Sequence, residues 1–142
     1  MNEITTTVTG QLAHDVELRY TATGDAVANF TVAATRRAFD KSAGEWQDAD
    51  TVWMRCTLWR QAAVNLAESL RKGDRVIVTG RLRQRSFETS AGEKRTVVEL
   101  DAYEVGASLQ FRPVTFDRTS PSTSSARESQ LVGSGSDDEP PF

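Results

Sequence analysis

Between Gln61 and Lys72 the spacing of apolar residues changes period, and no other stretch of the chain does so. Ala63, Leu66, Ala67 and Leu70 fall at i, i+3, i+4 and i+7, which marks an amphipathic helix of about three turns. Arg71 and Lys72 would close its last turn, and Gly73 would stop it in the C′ position. Around this helix, residues 1–112 read as strands separated by turn chemistry. Ile4 to Leu12 is rich in Thr and Val, with Gly10 as a bulge or kink. Val27 to Arg37 follows the turn at Thr23-Gly24-Asp25 and puts Phe30, Val32 and Ala34 on one face. After the loop Lys41-Ser42-Ala43-Gly44, the tip of a long hairpin, come Thr51 to Arg60, Arg75 to Thr89 and Lys94 to Tyr103.

Five strands interrupted once, by a helix between the third and fourth, fit an all-β class with one short helix: the five-stranded OB-fold barrel. An SH3-like barrel or a small sandwich is the alternative. After Pro113 the composition shifts to Ser, Thr, Gly and Pro, which cannot bury enough apolar surface to offset the entropy of ordering. The expected organisation is a barrel over 1–112, a flexible linker over 113–136 and an acidic tip over 137–142, the last two forming a disordered C-terminal tail.

Charge follows the same division. Residues 1–112 hold 15 Lys/Arg and 15 Asp/Glu, whereas 113–142 hold 2 and 5, so the net charge of −3 belongs to the tail. A neutral domain still binds a polyanion if its basic groups share a face. No run of ~18 apolar residues suggests a membrane span, and Met1 to Thr9 lacks the regions of a signal peptide. The single cysteine, Cys56, has no internal partner, which suits a reducing compartment. The cytoplasm is the expected location.

Strand alternation then sorts the side chains. In the third strand Val52, Met54, Cys56 and Leu58 share a core face, while Trp53, Arg55, Thr57 and Trp59 share the other. In the fourth, Arg81, Arg83, Arg85 and Phe87 recur at every second position. Arg36, Arg37 and Phe39 extend the pattern to the second strand. Unpaired nucleic acid offers flat base faces and regularly spaced phosphates. In proteins that bind single strands, stacking on a ring is worth roughly 1–3 kcal/mol per base and ignores sequence. Arginine adds phosphate contacts and can itself stack on rings. Against this, either tryptophan could fill a core or a subunit interface, and the arginines could be a solvated strand face.

Other chemistries find little support. His14 is the sole histidine, with no cysteine cluster for a zinc site, and no cofactor or metal is expected. Glu45, Asp48 and Asp50 are the only basis for a metal-dependent nuclease, and acids near a hairpin tip usually serve solubility. No phosphate-cradling glycine loop or nucleophilic triad is present, so no enzyme is expected. Cys56 reads as packing.

Several stretches resemble the bacterial single-stranded DNA-binding proteins. Asp15-Val16-Glu17-Leu18-Arg19-Tyr20 is similar to the family's D-P-E-x-R-Y, with Val16 in place of proline. Gly24 to Phe30, Thr51-Val52-Trp53-Met54-Arg55, Leu70-Arg71-Lys72-Gly73 and Val78-Thr79-Gly80-Arg81-Leu82 resemble its G-x-A-V-A-N-[FI], T-x-[WF]-x-R, L-x-K-G and V-x-G-x-L. The resemblance implies an OB fold, assembled as a homotetramer, that binds single-stranded DNA without sequence preference. It implies Trp53, Trp59 and Phe87 as stacking residues; a further stacking position carries Ala38 here, beside Phe39. Asp137-Asp138-Glu139-Pro140-Pro141-Phe142 is similar to the family's D-D-D-I-P-F, which recruits replication, recombination and repair proteins. The short, serine-rich linker points to a paralogue with a specialised role. An OB-fold module for RNA, or for protein contacts in the replisome, is the alternative function.

Overall fold

The computed structural model describes residues 2–118. The chain divides between Arg112 and Pro113. Residues 113–118, the described part of the second unit, contain no helix or strand. The rest of the expected linker, and the tip Asp137–Phe142, lie outside the described residues.

The first unit runs β1 (Thr5–Leu12), β2 (Glu17–Tyr20), β3 (Ala26–Asp40), β4 (Glu45–Trp59), α1 (Gln61–Ser69), β5 (Arg75–Glu88) and β6 (Lys94–Ala107). Its sheet has the order β1-β5-β6-β4-β3-β2, and β1 also pairs with β3 through Gln11↔Ala33 and Leu12↔Val32. That second pairing closes the sheet into a barrel. Five long strands form the wall, as the OB fold requires, and β2 adds a short sixth on the free side of β3.

Closure brings β1 across β3 at close range. A Cβ on Gly10 would collide with the Ala33 carbonyl, so glycine there permits a close approach. The β1–β5 register passes through Gly10 without a bulge. Gly80 does the same against the Asp101 carbonyl, beside a register shift between Thr79 and Gly80.

The core is filled by the inward faces of the strands. Phe30 and Val32 of β3, Cys56 and Leu58 of β4, Val76 and Val78 of β5 and Leu100 of β6 pack together, with Ala63 and Leu66 of α1 among them. Two inward expectations fail near the rim. Val52 is 55% exposed, and Ala34 opposite it is only half-buried. Both lie where β3 and β4 leave the barrel as a projecting hairpin, beyond the reach of an opposing wall.

The helix is shorter than the periodicity suggests. It ends at Ser69, and Leu70 is already extended. Beyond it, Asp74 Oδ2 accepts the Arg71 N–H (2.7 Å) and Asp15 Oδ1 accepts the Lys72 N–H (2.8 Å). These carboxylates draw the backbone out of the helical path. Leu70 still packs on the core, which is why the apolar spacing runs past the helix. Arg71 turns back to donate to the carbonyls of Ala67 and Leu70. Gly73, at φ 93°, carries the turn that donates its N–H to the Leu12 carbonyl.

Candidate nucleic-acid interface

Cross-strand partners share a face of a sheet, so the pairing registers collect the outward side chains. Trp59↔Val27, Thr57↔Asn29, Arg55↔Thr31 and Trp53↔Ala33 lie on one face of β3 and β4. Thr57 is in turn level with Asp101 of β6, and β6 sets Asp101, Glu99, Val97 and Arg95 against Arg81, Arg83, Arg85 and Phe87 of β5. The two sequence patterns therefore meet on one surface. There they bound a groove of about 950 Å³ whose lining includes Arg55, Thr57, Trp59, Arg83, Arg85 and Glu99.

Neither tryptophan on this face belongs to the core. Trp53 is 63% exposed and Trp59 43%. The Phe87 ring lies farther along β5, with the Arg85 guanidinium 5.3 Å from its centroid.

The arginine row of β5 faces carboxylates. Arg81 Nη2 donates to Asp101 Oδ2 at 2.7 Å, with Glu3 at 3.9 Å from its Nε. Arg83 stands between both acids, 3.5 Å from Asp101 and 3.7 Å from Glu99. Arg85 grips Glu99 with two hydrogen bonds, Nε to Oε1 (3.2 Å) and Nη2 to Oε2 (2.9 Å). Glu99 is the one buried charged residue among those described, 7% exposed. The Arg85 hydrogen bonds hold its carboxyl below the usual carboxylate range despite its burial; the charges of Arg55 and Arg83 act in the same direction. Sequence reading found the row but missed its partners. Glu99 and Asp101 alternate visibly in the sequence, but only the β5–β6 register reveals what they face.

The β3–β4 hairpin adds a second aromatic group. A register shift between Thr35 and Arg37 inserts one residue into β4, which reverses the alternation beyond it. Trp46 consequently pairs with Phe39, and Asp48 with Arg37, on the same face as Trp53. Arg37 is 3.4 Å from Asp48 and donates to the Trp46 carbonyl. Arg36 has the opposite parity on β3 and is held by Asp50 at 2.9 Å. The acids at positions 48 and 50 are thus partners of arginines. Among the described residues, no group of three His, Cys, Asp or Glu side chains stands close enough to hold a metal ion.

Trp46, Arg19, Tyr20 and Asn29 were not among the expected site residues. The bulge hides the parity of Trp46. Arg19 and Tyr20, visible in the sequence only as a motif, line the groove from β2 together with Asn29 from β3. With its amide oxygen toward Arg19 (3.0 Å to Nη2) and its nitrogen toward Thr57 Oγ1 (3.3 Å), Asn29 satisfies both neighbours. Cys56 lies behind this face, where burial pushes its thiol up to about 12.

Chemically, the face offers flat rings for stacking and guanidinium groups for anions. No helix among the described residues is long and apolar enough to cross a membrane.

Comparison with known proteins gives concordant matches. The model of the single-strand binding protein family matches residues 1–108. The single-stranded DNA-binding protein of Mycolicibacterium smegmatis is 48% identical over 162 aligned positions, covering 99% of this chain and 98% of the relative. That of Mycobacterium leprae is 53% identical over 118 positions, covering 83% of this chain and 70% of the relative. Among solved structures, the small single-stranded DNA-binding protein from Streptomyces coelicolor superposes with a TM-score of 0.68 at 35% identity, covering 77% of this chain and 97% of that one.

Proposed function

This chain belongs to the single-strand binding protein family, and from that membership together with the groove we propose that it binds single-stranded DNA without regard to sequence. What carries the proposal is the convergence of Trp59 with Arg55, Arg83 and Arg85 in the groove, with Trp53 and Phe87 exposed on the same faces of β4 and β5. Rings stack on any base, and guanidinium groups meet any phosphate, so neither contact selects a sequence.

The role that follows is non-catalytic. The protein coats exposed strands during replication, recombination and repair, and keeps them from re-annealing. It acts in the cytoplasm, at the nucleoid, as a homotetramer. The tip Asp137–Phe142 recruits partner proteins: three acids followed by Pro140, Pro141 and Phe142 suit an apolar pocket rimmed by Lys or Arg.

The test is a titration of the full chain with oligo-dT of increasing length, followed by tryptophan fluorescence and light scattering. Saturable quenching, at a stoichiometry of four chains per complex, is expected. Unchanged fluorescence with no complex formed would reject the function. Competition by oligo-U as effective as oligo-dT would favour an RNA-binding module instead.

A further inference from the structure

A groove built for a polyanion has no evident need of carboxylates, yet Glu99 lines this one and Asp101 stands next along the same face of β6. Along β5 and β6 the charges alternate in the order Arg81, Asp101, Arg83, Glu99, Arg85, each within 3.7 Å of the next. We propose that Glu99 and Asp101 are positioning residues that serve as internal counterions: they hold the three arginines in a row and set how strongly, and with what salt dependence, that row takes a phosphate backbone. This deepens the single-stranded DNA reading and rests on it.

The geometry supports both halves of the role. Glu99 engages Arg85 side-on, through Nε and Nη2, so Nη1 stays available to a phosphate while the guanidinium plane is fixed against Phe87. Arg83 is suspended between two carboxylates at distances too long for direct hydrogen bonds, free to shorten one contact or turn outward. The row therefore reaches the DNA already ordered. Its charge is another matter: three guanidinium groups opposed by Glu99 and Asp101, with Glu3 3.9 Å from Arg81, carry a net charge no greater than that of one arginine.

Salt dependence separates these effects from plain structural support. For single strands, log K falls against log salt by about 0.7 for each phosphate neutralised. A row acting as one charge contributes about 0.7 to that slope, where three free arginines would contribute about 2.1. Removing one carboxylate restores one charge.

The experiment uses the full chain, fluorescein-labelled oligo-dT and anisotropy titrations between 50 and 200 mM NaCl. The proteins are the parent, Glu99→Gln, Asp101→Asn and the double variant, with thermal melts as a check on folding. Each single variant is expected to bind more tightly at 50 mM NaCl and to show a slope steeper by about 0.7, so that its advantage shrinks roughly threefold by 200 mM. Asp101→Asn keeps the test decisive if the more buried Glu99 proves necessary for folding. Parallel lines for parent and variants would overturn the internal-counterion role, and so would weaker binding at an unchanged slope, the mark of structural support alone. If the parent itself failed to bind oligo-dT, the groove's assignment would fall and this role with it; parent binding with parallel lines would sink the role alone.

Discussion

Trp46 meets the Phe39 ring edge-on, with centroids 5.5 Å apart and planes inclined at 70°. The pair exists because the bulge near Arg36 shifts the parity of β4, so two rings that simple alternation would separate come to the same side. With the Asp40 carboxylate, which accepts hydrogen bonds from Ser42 and Ala43, and the Arg37–Asp48 pair, it holds the end of a hairpin that no core residue supports. Such aromatic pairs are worth about 0.5–1.5 kcal/mol beyond the area they bury.

Trp46→Ala should therefore loosen the hairpin and leave the barrel intact. Hydrogen exchange at the amides of residues 39–46 is expected to accelerate, with little change in melting temperature. A large fall in melting temperature would mean that the tip is coupled to the core.

Trp53→Ala tests the exposed face directly. The side chain is mostly in solvent, so removing it should cost little stability. Affinity for oligo-dT should fall by roughly 1–3 kcal/mol if one base loses its platform. Isothermal calorimetry against the parent would measure it, and equal affinities would remove Trp53 from the DNA path.

Gly10→Ala probes the closure of the barrel. The added methyl would push on the Ala33 carbonyl, and neither strand can yield without disturbing Gln11↔Ala33 and Leu12↔Val32. Urea denaturation should show a loss of roughly 3 kcal/mol, at the upper end for overpacked sites. Ala at position 44, by contrast, would meet open space and face only the strain of a positive φ.

The Cys56 thiol should be inert at neutral pH. Burial lifts it from an ordinary value of 9.0 to about 12, and the thiolate is the reactive form. Iodoacetamide should label the unfolded chain and spare the folded one. Because the folded value lies above the unfolded one, this group's contribution to stability is present below pH 9 and is lost as the pH rises toward 12. Cys56→Ser or Cys56→Ala would remove that part of the alkaline decline, which denaturation curves at pH 8 and pH 10 can detect.

The tip offers a separate test. Deleting Phe142 should leave oligo-dT affinity unchanged or slightly raised while abolishing recovery of replication and repair proteins on the immobilised protein. Equal recovery by intact and shortened chains would leave the tip as a solubility device.

Much of this surface was legible before any coordinates. Alternation along β4 separated Cys56 and Leu58 from Trp53 and Trp59, and the same rule aligned Arg81, Arg83 and Arg85. Such patterns lie within one strand and need no knowledge of a neighbour. What stayed hidden depends on pairs of strands. The carboxylates opposite the arginines require the β5–β6 register, and Trp46 requires a bulge whose cause lies in neither sequence segment alone. β2 escaped notice because four residues with one half-buried side chain, Leu18, carry too little pattern to separate a strand from a loop. The end of α1 was misplaced because Leu70 satisfies the apolar spacing from an extended backbone, while Asp15 and Asp74 claim the amides that would have continued the helix.

The position of β1 in the barrel also governs when the molecule can come into being. Thr5 to Gln11 find their partners in Arg75 to Arg81, so β1 leaves the ribosome well before the strand it mainly pairs with. Until β5 emerges, β1 has only the two closing pairs with β3, and Leu12 also lacks Gly73 and Asp74, with which it exchanges backbone hydrogen bonds. Hairpins β3–β4 and β5–β6 can form from neighbouring sequence, but sealing the wall is a long-range event of the kind that slows β-rich proteins. Nascent chains stopped short of residue 81 would thus carry an unsealed, sticky edge, and quality control during synthesis would meet this protein as an open sheet rather than as a barrel.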